Sequence, residues 1–366
     1  MISRKVNLLK TYLEVTTERV VSLSQPSRLG LICGGSGNLG DDAMVEAARK
    51  LLLHTQLIRF GHPKQEARLK QLKLSGSPYF QSVILGGGTL ISPTWAEHVR
   101  AALQQGLPVW SLGTGVGSHG FLQTDTVTLQ EWKPLLKDFH RIGVRGPRSK
   151  TTLESMDIPN VEVVGDLALS LALENLKPPA DPPRFALNIS VPVGQSYNEG
   201  EYACLKELEL VLPKLIQQGW QPVPIAMHSS DILPIQQLLH KVSLDYIPVP
   251  LLSSSDEFFR LVSPCSLTIA VRLHAAVLSC CVGVPPLMLG YRDKCLDFMQ
   301  SMHLEDWHVP IQAAPPNSIF EKAMLLSDQA VYLRADVLSQ AQVWKNTLYQ
   351  YVKDVSACSI PHSLGT

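Results

Sequence analysis

Neither sign of charge is in excess in this 366-residue sequence, where 32 Lys and Arg stand against 32 Asp and Glu. A broad basic face for nucleic acid or an anionic membrane is therefore excluded, and any anion site must be local. No Cys-x-x-Cys pair occurs among the seven scattered cysteines, which points to reduced thiols in a cytoplasmic protein. Long apolar runs are also missing. The most hydrophobic stretch, Ala275 to Leu289, is too short for a bilayer and is broken by Gly283, Pro285 and Pro286, so no membrane span is expected. The opening segment MISRKVNLLKTYLEVTTERVVSL lacks the uncharged core of a secretory signal and reads as an amphipathic helix packed on the adjacent domain. There is no internal repeat, no low-complexity tract and no metal-ligand spacing. GGSGNLGDD follows a strand-like run but lacks the Lys-Ser/Thr ending of a phosphate loop, which argues against a nucleoside triphosphate there.

What is present is an alternation of short β-branched runs with helical ones: RLGLIC then GDDAMVEAARKLLLH, SVILGGG then TWAEHVRAALQQG, VWSLGTG, RIGVRG, VEVVGD. This is the rhythm of βαβ units in a parallel sheet. It pauses at ENLKPPADPPR, whose prolines suit neither a helix interior nor a central strand. It resumes with FALNISV, QPVPIAM, LTIAV and PPLMLGY. The expected fold is α/β with two facing Rossmann-like domains, residues 1–173 and 185–366, joined by a linker over 174–184. The final helical run, from about Ile319, is expected to pack back across the pair. Two open parallel sheets leave a cleft lined by loops at the carboxyl ends of their strands, so motifs at strand ends carry most weight.

The sharpest motif is LTIAVRLHAAVLSCCVGVPPLMLGYRDKCLDF. Arg272 and His274 follow a strand and open a helix, where free N–H groups and the helix dipole already favour an anion. Lys294 follows the next strand, so adjacent loops bring two fixed cations and one imidazole to a single pocket. Alone, Arg-Leu-His would read as a surface turn; the ordered context gives it meaning.

That context resembles the polysaccharide pyruvyl transferases: Arg272-Leu273-His274, then Gly283-Val284-Pro285, then Tyr291-Arg292-Asp293-Lys294. The resemblance extends upstream through Gly37-Asn38-Leu39-Gly40-Asp41, Gly86-Gly87-Gly88, Gly113-Thr114-Gly115-Val116-Gly117, Arg145-Gly146-Pro147-Arg148-Ser149 and Gly165-Asp166. It implies a GT-B-like pair of domains with phosphoenolpyruvate in the cleft, a sugar or lipid-linked saccharide as acceptor, and no cofactor beyond phosphoenolpyruvate as co-substrate. Within it, Arg272, Lys294 and Arg145 are expected to hold the donor, and His274 to deliver a proton, its pKa raised by the donor's negative charge. Arg148 reads equally as a surface residue. Asp166 either orients a catalytic group or caps the following helix. Asn38 is expected at the acceptor because its amide both donates and accepts; Asp41 either touches the acceptor or, like Asp42, caps its helix. Glu199 is expected near the acceptor and, with Glu201 and Asp166, is a candidate general base. Val191-Pro192 stands where many relatives carry polar acceptor-binding residues, which leaves the acceptor's identity open. Competing readings are a nucleotide-sugar glycosyltransferase of the same fold and a sugar-phosphate binding protein without catalysis.

Overall fold

The structure, a computed structural model, describes residues 15–24, 27–35, 37–53, 55–117, 129–190 and 199–359. Seven parallel strands form the first sheet: β1 (Arg28–Ile32), β2 (Gln56–Arg59), β3 (Ser82–Leu85), β4 (Gly88–Ile91), β5 (Val109–Val116), β6 (Phe139–Val144) and β7 (Val161–Val163). Their order is β2-β1-β3-β5-β6-β7, with β4 paired to β5. Helices α1 (residues 15–21), α2 (Leu39–Leu51), α3 (Pro63–Gln71), α4 (Pro93–Gln104), α5 (Trp132–Lys137) and α6 (Pro147–Ser155) pack around it. The second sheet, order β12-β11-β10-β8-β9, is also parallel and comprises β8 (Arg184–Asn188), β9 (Gln221–Pro224), β10 (Leu267–Ala270), β11 (Pro286–Gly290) and β12 (His308–Pro310). It carries α7 (Glu199–Gln217), α8 (Ile232–Lys241), α9 (Ser255–Val262), α10 (Leu273–Cys281) and α11 (Asp293–Ser301). The last helix, α12, spans Ser318–Ser359.

Covering both faces of a parallel sheet buries whole strands, and every residue of β3, β10 and β11 is buried. This is why those strands read as continuous apolar runs. β2 and β4 are additions to the sequence reading: QLIR is exposed at both ends and GTLI begins half-buried, so neither makes an apolar run. A second correction concerns Gly113-Thr114-Gly115, expected to end a strand. β5 continues through them to Val116, and the register with β6 shifts between Ser111 and Thr114.

The amphipathic N-terminal helix packs on the first domain through Arg19. Its fully buried guanidinium donates to the Leu74 carbonyl at 2.9 Å and meets Glu66 Oε1 at 2.8 Å. At the other end α12 crosses the pair as expected. Tyr351 donates to the Ser111 carbonyl of β5 at 2.9 Å, while Arg334 donates to the carbonyls of Cys265, Ser263 and Lys177. Gln342 and Lys345 hold the carbonyls of Leu173 and Ala172, so the chain entering the Pro-rich segment is fastened to α12. No helix among the described residues is long and apolar enough to cross a membrane.

Candidate functional site

Residues after the carboxyl ends of β10 and β11 in the second sheet meet residues after those of β1, β5 and β7 in the first along a seam: His274 faces Gly40 and Asp166, and Lys294 lines a crevice with Val116 and Gly117. Arg272 is the N-cap residue of α10. Its backbone N–H donates to Asn188 Oδ1 at 3.0 Å, which ties the turn to the end of β8. Its Nε and Nη2 are gripped by the fully buried Asp231, at 2.7 Å from Nε and 2.6 Å from Nη2. The fork expected to face a ligand is therefore held by a carboxylate, which leaves Nη1 as the corner with no protein partner among the described residues. Asp231 in turn accepts from the backbone N–H groups of Met227 and His228, so its position is fixed before Arg272 arrives.

His274 is the second residue of α10, with its side chain 13% exposed. Across the seam the first turn of α2 touches it so closely that a methyl on Gly40 would overlap the imidazole. The glycine of GNLGDD thus makes room for a histidine more than two hundred residues away. His274 Nε2 lies 3.9 Å from Asp166 Oδ2, and Arg145 Nη1 lies 3.7 Å from the same oxygen. Asp166 Oδ1 caps the following turn by accepting from Ala168 N at 3.0 Å, while Oδ2 faces Arg145 and His274.

Arg145 is 0% exposed, and a methyl on Gly115 would overlap its guanidinium. Its Nε, Nη1 and Nη2, together with His274 Nε2 and Asp166 Oδ2, are buried without a hydrogen-bond partner. Polar groups left this way in an interior are costly, and such concentrations mark sites built for a ligand.

Burial, first, and then Lys294, Arg145 and Arg272 push the His274 pKa down to about 4, against an upward pull from Asp166. The upward displacement expected from the donor's charge belongs to the donor-bound state, and burial is the leading cause of the downward shift seen here. His308, whose ring occupies the space left by Gly290, is also lowered to about 4, chiefly by burial. An unfolded imidazole takes its proton near 6.5 and these folded ones only near 4, so stability is full above the first value and is lost as pH falls through the second. Urea midpoints measured across that window should fall steeply for the wild type and less steeply for a His274→Gln, His308→Gln variant. Equal slopes would contradict the assignment.

Lys294 sits at the start of α11 with its ammonium 5.1 Å from the Tyr291 ring centroid. It lines a crevice of about 180 Å³ with Arg292, Thr89, Ser92, Val116 and Gly117, at the ends of β4 and β5 and the N-terminus of α4. Asp41 is drawn into the same field. Its carboxyl is packed against Gly34, and its pKa is raised by burial while Lys294 and Arg272 pull it down. Neither Asp41 nor Asp42 caps α2: Asn38 does, accepting from Gly40 N at 3.1 Å, which commits the carbonyl of its amide and leaves the NH₂ for a ligand. Arg148 pairs with Asp293 at 2.6 Å. Residues 191–198 and the side chains of Glu199 and Glu201 lie outside the described residues. Gly87 abuts Met44 and Leu167, so this glycine serves helix packing. Sequence reasoning missed Asn188 and Asp231, the latter announced only by the short turn HSSD after β9.

Residues 38–293 match the profile of one protein family, described as polysaccharide pyruvyl transferase. No curated protein matches the sequence. Among solved structures, the Anabaena protein HepE crystallised with UDP and glucose superposes with a TM-score of 0.55 at 11% identity, over 91% of this chain and 99% of that one. A glycosyltransferase from Rickettsia africae gives 0.55 at 11% identity, over 93% and 100%. UDP-GlcNAc 2-epimerase from Neisseria meningitidis gives 0.53 at 13%, over 90% and 100%. At these identities the likeness is one of fold, the GT-B arrangement of two parallel-sheet domains.

Proposed function

Because the chain belongs to the polysaccharide pyruvyl transferase family, we propose that it moves pyruvate from phosphoenolpyruvate to a saccharide acceptor as a cyclic ketal, in the cytoplasm and without a further cofactor. The observation that carries this reading is the meeting of Arg145, Asp166 and His274, buried and short of partners, beside Lys294 and Arg272. Donor phosphate against Lys294 and the N-terminus of α4 would be held by charge and by the helix dipole, with the carboxylate reaching the open corner of Arg272 or Arg145.

In the first step a sugar hydroxyl attacks C2 of phosphoenolpyruvate and loses its proton to Asp41. That carboxyl suits the task because burial raises its pKa and so strengthens it as a base. C3 takes a proton from His274. Phosphate then leaves with the C–O bonding pair, and a second hydroxyl of the same sugar adds to C2, its proton passing to the departing phosphate. His274 is neutral in the free protein near pH 7. It takes up its proton when the donor's negative charges enter beside it.

Phosphoenolpyruvate should raise the melting temperature, as any ligand specific for the folded state does. Lys294→Ala should abolish most of that rise, since one cation on a desolvated phosphate is worth a tenfold or larger change in affinity, about 1.4 kcal/mol or more. A rise with UDP-sugars and none with phosphoenolpyruvate would instead establish a nucleotide-sugar enzyme. Saccharides carrying neighbouring hydroxyl pairs can then be screened by phosphate release.

A further inference from the structure

Helix α6 of the first domain begins with no cap of its own. Its N-cap residue is Gly146, which has no side chain to offer, yet Gly146 and Ser149 at the helix start are buried. The missing acceptor comes from the other domain. Asp297, on α11 and 2% exposed, accepts from the backbone N–H of Arg148 at 2.8 Å and of Ser149 at 3.3 Å, both at Oδ1. The Ser149 hydroxyl donates to Oδ2 at 2.6 Å. Gly146 is glycine because a methyl there would overlap this carboxylate. One turn earlier on the same face of α11, Asp293 pairs with Arg148 at 2.6 Å.

The consequences run into the site along two short paths. Arg145 Nε lies 3.9 Å from Asp297 Oδ2, so the carboxylate that caps α6 also lies beside the buried guanidinium whose Nη1 faces Asp166. Ser149 Oγ, fixed by Asp297, accepts from the N–H of Val116 at 3.2 Å, and Val116 forms a wall of the crevice that Lys294 lines. Lys294 itself opens the helix that carries Asp297.

We infer that Asp297 is a positioning residue: by capping α6 across the domain seam it sets Arg145 and Lys294 at the separation the donor anion requires. The inference rests on phosphoenolpyruvate being the donor, so the wild type comes first. If wild-type protein shows no heat of phosphoenolpyruvate binding by titration calorimetry, the donor reading fails and Asp297 is not at issue. If it binds, Asp297→Asn should weaken phosphoenolpyruvate at least about tenfold, because the amide keeps the volume but offers one acceptor where two are used. A merely structural cap is separated by a second variant. Asp293→Asn breaks the Arg148 pair between the same two helices and leaves the cap in place, so phosphoenolpyruvate affinity should stay within about threefold of wild type. Wild-type affinity in Asp297→Asn, or an equal loss of affinity in Asp293→Asn, would overturn the positioning role.

Discussion

Replacing His274 by Gln is expected to lower turnover by about a hundredfold or more, with phosphoenolpyruvate affinity changing by no more than about threefold. Glutamine keeps a polar amide and most of the volume beside Gly40, which contacts the ring. What it removes is the titrating proton. The wild type also makes a thermodynamic prediction that the variant does not share. With an imidazole held down to about 4 by burial and three cations, donor binding must pull a proton from solution at any pH between that value and the displaced pKa. Calorimetry of phosphoenolpyruvate binding in buffers of different ionisation enthalpy should show this uptake in the wild type and its loss in His274→Gln. For the same reason turnover should decline as pH rises through the displaced value, where bound donor no longer keeps the ring protonated. Loss of donor binding together with turnover would make His274 an anion ligand instead of an acid, and Lys294 would be the next candidate for the proton.

The parts of this site that were legible in sequence are those set by local rules. A strand followed at once by Arg-Leu-His had to place those residues at a carboxyl end, and the parallel sheet delivered them to a seam shared with Lys294. The parts that were not legible are pairings over long separations. Nothing near Arg272 in the chain announces Asp231, 41 residues earlier, whose grip reduces a two-pronged anion fork to one open corner. Gly40 and Gly115 are each small because a side chain distant in sequence fills the space a Cβ would take. The sign of the His274 shift also depended on context. Reasoning from a bound anion gave an upward displacement, whereas in the empty site burial and Lys294, Arg145 and Arg272 act together in the opposite direction.

Arg145 is where folding and binding conflict most, and Arg145→Met should show it in both. Its Nη1 lies 3.7 Å from Asp166 Oδ2 and its Nε 3.9 Å from Asp297 Oδ2, and none of its nitrogens has a hydrogen-bond partner among the described residues. Methionine fills similar volume but leaves two buried carboxylates without their shared cation, and breaking a buried pair in this way costs about 3–5 kcal/mol. Urea unfolding should register that loss. Adding Asp166→Asn to Arg145→Met should return part of it, because a neutral amide needs no counter-charge and can still cap the following turn through its carbonyl. Stability restored in this way should not bring back phosphoenolpyruvate binding, since the orphaned N–H groups that would have met the donor are gone. A double variant that recovers both would show Arg145 to be only the counter-ion of Asp166. An Arg145→Met protein as stable as wild type would show that the buried pair contributes nothing to the fold.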